Sequence, residues 1–148
     1  MEQKRKHDRG VCSQDNLWRL INATNDILLL IDTAGTVLAA NESAARLYET
    51  PLKKILGGNI FTIVPKKLLQ ASRDAVSTVF AAGQPESVEM EVRGRYFENY
   101  IYPVFGKKRE VADIAIFIRD ITRRKEVEKA LQQTEEKYRN IYENATEG

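Results

Sequence analysis

The sequence predicts an α+β fold: a five-stranded antiparallel sheet with its helices gathered in one crossover, flanked by an N-terminal helix and a C-terminal coiled-coil-like linker helix. Three observations carry this. Two strand-like segments separated by a tight turn precede the helical signals, and three more strands follow them. After Thr122 the apolar spacing changes from strand-like to heptad-like. Hydrophobic residues make up 43% and charged residues 30% of the 148 positions, which is a folded domain's composition and too apolar for a disordered chain.

In chain order, residues 1–12 are expected to form a flexible leader and residues 13–25 a flanking helix. Ser13 or Asp15 suits its cap, and Leu17, Trp18, Leu20 and Ile21 its apolar positions. DILLLID (26–32) is too short for a buried helix and reads as a strand. Asp32 to Gly35 is a turn, and TVLAAN (36–41) returns as a hairpin. Asn41 suits an N-cap, and Glu42 in the first turn favours the helix dipole. That helix should end near Thr50-Pro51. Two short helical pieces follow, the first stopped by Gly57-Gly58, and then a long helix from about Pro65 to Ala82.

On a helical wheel, Leu68, Leu69, Val76, Val79 and Phe80 share a face of the long helix. Ser72 falls within that face and Arg73 on its edge. SVEMEVR (87–93), RYFENYIYPVF (95–105) and VADIAIFIRDIT (111–122) read as strands. The last is apolar on both faces near its middle, so both sides are expected to be covered. Alternation sets Phe97, Asn99 and Ile101 on one face of the fourth strand, and Ile114, Ile116 and Ile118 on one face of the fifth. Tyr96, Tyr100, Tyr102, Ala115 and Phe117 share the other face, with the leading helix, a second subunit or both as its cover.

Val127, Leu131, Thr134, Tyr138, Ile141 and Ala145 repeat at alternating spacings of four and three, a heptad seam. A helix folding back on the sheet is one reading and a parallel dimer the other; the dimer is preferred. Asn22-Ala23-Thr24 recurs as Asn144-Ala145-Thr146, each after an amphipathic aromatic stretch. The recurrence suggests that residues 123–148 hold a linker helix and the start of a second repeat within a longer tandem protein.

Several function classes are excluded. The longest apolar runs, Ile27–Ile31 and Ile114–Ile118, are far short of the ~20 residues of a membrane span. Net charge is +2, too balanced to announce a nucleic-acid partner. One cysteine, Cys12, permits no internal disulfide, so the cytoplasm is the expected compartment. His7 and Cys12 cannot supply a four-ligand zinc site, and no nucleophile–base set or phosphate loop is recognisable. An enzyme complete within these residues is therefore the least favoured reading. Glu89, Glu91 and Lys107-Lys108-Arg109 read as solvated faces.

DILLLIDTAGTVLAANESAARLYE and the closing RDIT (119–122) resemble the PAS domain family, over about residues 15–122. RRKEVEKALQQTEEKYRNIYENATEG resembles the helical linker to a second such domain. The resemblance implies a sensory module spanning 26–122 in a cytoplasmic signalling protein, very often a histidine kinase, with further PAS or kinase domains downstream. It also implies tests for cofactors. Gly57-Gly58-Asn59 is followed by Ile60 where flavin-binding, light-sensing members carry a reactive Cys, and the positions needing amides for the flavin ring hold Phe97 and Ile118. Residues 66–82 contain no His to ligate haem iron. Flavin and haem are thus not expected, and an unidentified small molecule remains.

The candidate ligand-binding residues are Ser72, Arg73, Phe97, Asn99, Ile101, Ile116 and Ile118. Local readings compete: Ser72 bonding back to the carbonyl four residues earlier, Asn99 bonded locally, and Arg73 reaching solvent. A signal-transfer junction is expected at Asp120, Thr122 and Arg124, with Asp120 offsetting the cations that begin the helix. A homodimer is expected to use Trp18, Tyr100, Phe117, Val127 and Leu131. The alternative function is a dimerisation and spacer module with a filled core and no ligand.

Overall fold

The structure, a computed structural model, describes residues 11–147. The leader expected over 1–12, with His7, therefore lies outside the described residues apart from Val11 and Cys12. Helix α1 spans Gln14–Ile21, and Ser13 caps it by accepting from the Asn16 amide at 3.1 Å. Strands β1 (Ile27–Asp32) and β2 (Val37–Ala40) form the first hairpin. Asp32 Oδ1 accepts from the amides of Ala34 and Thr36, both at 2.9 Å, which closes its turn. Gly35 adopts φ +88°, and a Cβ there would lie 2.7 Å from the Phe61 ring. Backbone freedom and close approach thus both require glycine.

Three short helices follow, α2 (Glu42–Leu47), α3 (Leu52–Ile55) and α4 (Ile60–Ile63), and then the long α5 (Lys66–Ala82). Gly83 ends α5 in the left-handed conformation, its amide donating to Val79. Strands β3 (Glu86–Val92), β4 (Arg95–Phe105) and β5 (Val111–Asp120) complete the sheet, and α6 (Thr122–Glu147) leaves it. All strands pair antiparallel in the order β2-β1-β5-β4-β3. The first and last strands in sequence are neighbours, so the sheet is continuous only when both ends of the domain are present.

Alternation buries one sheet face. Ile27, Leu29 and Ile31 of β1 meet Ile114, Ile116 and Ile118 of β5, and α5 brings Ala75, Val76 and Val79. Ile31, Val37, Ile55, Val79 and Ile114 are sealed from solvent, and burial of each stabilises the fold by about 1.5–3 kcal/mol. The outer edge of β2 is occupied as well. Val37 exchanges backbone bonds with Gly57 and Gly58, each 2.9 Å, and Thr36 bridges to Asn59. The glycines that stop α3 therefore also blunt an open strand edge.

Asn41 is buried and does more than cap α2. Its Oδ1 accepts from Ala44 (3.2 Å) and Leu28 (3.1 Å), and its Nδ2 donates to the carbonyls of Ile21 and Asp26, both 2.8 Å. One amide thus joins α1, β1 and α2.

One of the two covers expected for the outer sheet face fails here. No described residue seals that face of β5: Phe117 and Tyr102 are each 40% exposed. Nor does α1 cover it. Helix α1 carries no buried residue, and Trp18 is 39% exposed. The bonds to Asn41 and from the Glu42 amide to Asn22 (2.7 Å) hold its end beside α2 instead. The apolar positions of α1 were legible, but the anchoring hydrogen bonds decide where the helix sits.

Candidate functional site

Between the inner sheet face and helices α2, α4 and α5 lies a cavity of about 570 Å³. Six of the seven sequence candidates line it: Ser72, Phe97, Asn99, Ile101, Ile116 and Ile118. Arg73 does not. Its side chain is exposed, and its guanidinium lies 5.2 Å above the Phe61 ring, a cation–π contact. The inward parity of β4 and β5 explains the sheet residues, and the apolar face of α5 delivers Ser72.

The lining is largely apolar, with contributions from Leu29, Ile60, Val64 and Val76. Exposed Arg46, Lys67 and Arg93, with Glu49 and Glu91, border its mouth. Three polar groups face inward. Ser72 does not bond back to its own helix, and its hydroxyl has no partner among the described residues. Asn99 is buried and makes one long bond, Nδ2 to the Val88 carbonyl at 3.4 Å. Tyr48, which the sequence did not single out, also lines the cavity. Burial pushes its hydroxyl up to about 12. Tyr48 follows the last turn of a short helix, where no periodicity signals which way a side chain faces.

The junction residues Asp120, Thr122 and Arg124 converge where β5 becomes α6. Asp120 Oδ1 accepts from the Thr122 amide (3.0 Å) and hydroxyl (2.5 Å), so Asp120 caps the outgoing helix. The Thr122 hydroxyl accepts in turn from the Tyr96 amide at 3.0 Å, and the Ile121 amide donates to the Tyr96 carbonyl at 2.8 Å. Ile121 is buried beneath this turn. Burial pushes the Asp120 carboxyl up, but the Thr122 hydrogen bonds and the Arg95 guanidinium outweigh it and hold it below the usual carboxylate range.

The partner expected for Asp120 is corrected. It pairs with Arg95 on β4, not with the cations that begin α6. Those cations reach across the sheet. Lys125 Nζ lies 2.9 Å from Glu89 Oε2, and Arg124 lies 3.6 Å from both Glu89 and Glu98. Glu89 is therefore part of the junction rather than a purely solvated residue. The Lys125 hydrogen bond keeps its carboxyl below the usual range. Lys129 Nζ donates to the Tyr96 hydroxyl at 2.9 Å, extending the contact to a second helical turn.

Arg95 links the two regions. It lines the cavity, its guanidinium lies 5.4 Å above the Phe97 ring, and it pairs with Asp120. Phe97 also sits opposite Asp120 in the β4–β5 register. No motif singles out Arg95, because its role depends on strand register.

On the outer face, Tyr100 and Tyr102 stack with centroids 6.4 Å apart, and Phe117 meets Tyr102 edge-on at 5.5 Å. Asp26 and Arg119 pair at 2.8 Å beside them and complete a shallow groove. Along α6, Val127, Leu131, Tyr138 and Ile141 are all exposed, so the helix does not fold back on the sheet at its heptad positions. Asn144 to Thr146 continue α6, whereas Asn22 to Thr24 leave α1. Among the described residues no cluster of His, Cys, Asp and Glu could hold a metal ion. Among the described residues no helix is long and apolar enough to cross a membrane.

Comparison with curated proteins gives no match. Solved structures give many with the same fold. The PAS domain of BvgS from Bordetella pertussis is 21% identical with a TM-score of 0.60, covering 83% of this chain and 96% of its own. A sensory box sensor histidine kinase structure from Vibrio cholerae is 13% identical with a TM-score of 0.60, covering 79% and 98%. A domain of a putative light and redox sensing histidine kinase from Haloarcula marismortui is 22% identical with a TM-score of 0.57, covering 74% and 100%. A family model described as PAS fold matches residues 21–126, most of the chain and nearly all of the sheet and cavity described above, and the chain therefore belongs to the PAS fold family.

Proposed function

We propose that this chain is a regulatory sensor module in which occupation of the cavity is read out through α6. The observation that carries the reading is Arg95, which borders the cavity, lies over Phe97 and pairs with the carboxylate that caps α6. An occupant that displaces Phe97 or Arg95 changes the Asp120 pairing and thus the balance between two settings of the outgoing helix. Fold neighbours that come from sensor histidine kinases support a signalling context, and the proposal extends to kinase or further PAS domains of the same protein downstream and to the cytoplasm as compartment. Flavin and haem are not proposed as occupants.

The test is a thermal-shift screen of the chain against a metabolite library, followed by amide exchange. A true occupant stabilises the native state and raises the melting temperature. It also changes exchange at residues 122–129 in the native chain and leaves it unchanged in Arg95→Gln. A screen without any shift, or an α6 response that survives Arg95→Gln, overturns the reading.

The exposed heptad seam and the aromatic groove support a second role, homodimerisation through Tyr100, Phe117, Val127 and Leu131, with exposed Trp18 a further candidate. This is compatible with sensing. A spacer without a ligand is less favoured, because the open cavity disagrees with the filled core that reading expects.

A further inference from the structure

We infer that the cavity selects a neutral, largely apolar molecule carrying a carbonyl-type hydrogen-bond acceptor, taken by Tyr48 and Ser72. The inference rests on the proposal that the cavity is a ligand site. Its interior is apolar, and no charged side chain in it is buried. The cations at the mouth, Arg46, Lys67 and Arg93, are nearly offset by Glu49 and Glu91, and Arg95 is already paired with Asp120. An ionised group inside would lose its hydration with no countercharge to replace it.

Hydrogen-bonding capacity is nevertheless unspent. The Tyr48 and Ser72 hydroxyls have no partner among the described residues. Asn99 uses only a long bond from its Nδ2. Because burial raises the Tyr48 pKa, its hydroxyl stays protonated across the physiological range and acts as a donor. A ligand without an acceptor would leave both hydroxyls unpaired, which costs affinity about threefold for each group. The local reading expected for Ser72 would have spent its hydroxyl on the carbonyl four residues earlier, and the structure shows no such bond.

The experiment uses three probes on one naphthalene skeleton: 2-acetylnaphthalene, 2-ethylnaphthalene and 2-naphthoate. Dissociation constants are measured by titration for the whole chain and for Tyr48→Phe and Ser72→Ala. The expected result is 2-acetylnaphthalene binding at least about fivefold tighter than either relative. In the variants this preference falls toward one, while the melting temperature of the unliganded chain stays unchanged because the lost hydroxyls had no protein partner. Equal binding of the acetyl and ethyl probes, or tightest binding of 2-naphthoate, overturns the acceptor-selective inference and leaves the ligand-site reading standing. Absence of binding by all three overturns both. A melting temperature lowered by Tyr48→Phe without ligand overturns the assignment of that hydroxyl to the ligand.

Discussion

Asn41 shows how one side chain can hold several elements. Its amide satisfies two backbone donors and two backbone acceptors in α1, β1 and α2. Truncation strands buried groups that water cannot reach, and each such group costs about 1–3 kcal/mol. Asn41→Ala is expected to destabilise the chain by about 2–4 kcal/mol in denaturant unfolding. Asn41→Asp is expected to lose nearly as much, because it keeps the Oδ1 acceptor and places an oxygen against the carbonyls of Ile21 and Asp26. An Asp variant as stable as the parent would show that the two donated bonds contribute little. The sequence made Asn41 legible as a cap, because capping is set by local spacing. Its bonds to Ile21, Asp26 and Leu28 join residues 13 to 20 positions away, and only the assembled hairpin brings those groups within reach.

At the level of elements, the link from β5 to α6 should depend on pH. Asp120 and Glu89 have folded pKa values below their ordinary ones. A depressed carboxylate contributes stability that is fully present above its unfolded pKa, about 4. That contribution disappears as pH falls through the lower folded value. Helix α6 should therefore stay docked at neutral pH and detach below about pH 4 before the sheet unfolds. Amide exchange at residues 122–129, followed from pH 7 downward, measures this, and Asp120→Asn should show the detached exchange rates already at pH 7. Protection there that is indifferent to Asp120→Asn and to pH would remove the clamp from the account.

The heptad face and the aromatic groove belong to this scale too. Phe117→Glu and Leu131→Glu place charges on surfaces that are exposed in the single chain, so the monomer should fold with stability changed by less than about 0.5 kcal/mol. Sedimentation should show a concentration-dependent dimer for the parent and a monomer for both variants. A monomeric parent at high concentration would sink the dimer proposal.

For the whole molecule, two tiers of protection are expected. The sheet, with β1 paired between β2 and β5, should unfold as one cooperative unit and carry the slowest-exchanging amides. Helix α6 beyond Lys129, whose side chains are exposed, should exchange quickly in dilute chain and gain protection as concentration rises. Equal protection of both tiers at all concentrations would contradict the picture of a compact sensor with an unpartnered rod.

The sequence by itself determined the five strands and their inward parity, the long helix, the turn and cap residues, and the family resemblance. Periodicity, glycine conformations and capping are local properties, written within about a dozen neighbouring residues. Five of the seven cavity candidates followed from the same parity, and Ser72 followed from the apolar face of the long helix. Only the tertiary structure decided that Asp120 pairs with Arg95, that Glu89 joins Lys125, that Tyr48 faces the cavity and that α1 leaves the aromatic face open. Each of these depends on strand register or on helix placement across the sheet. Packing and long-range hydrogen bonds settle those quantities, and no short-range pattern encodes them.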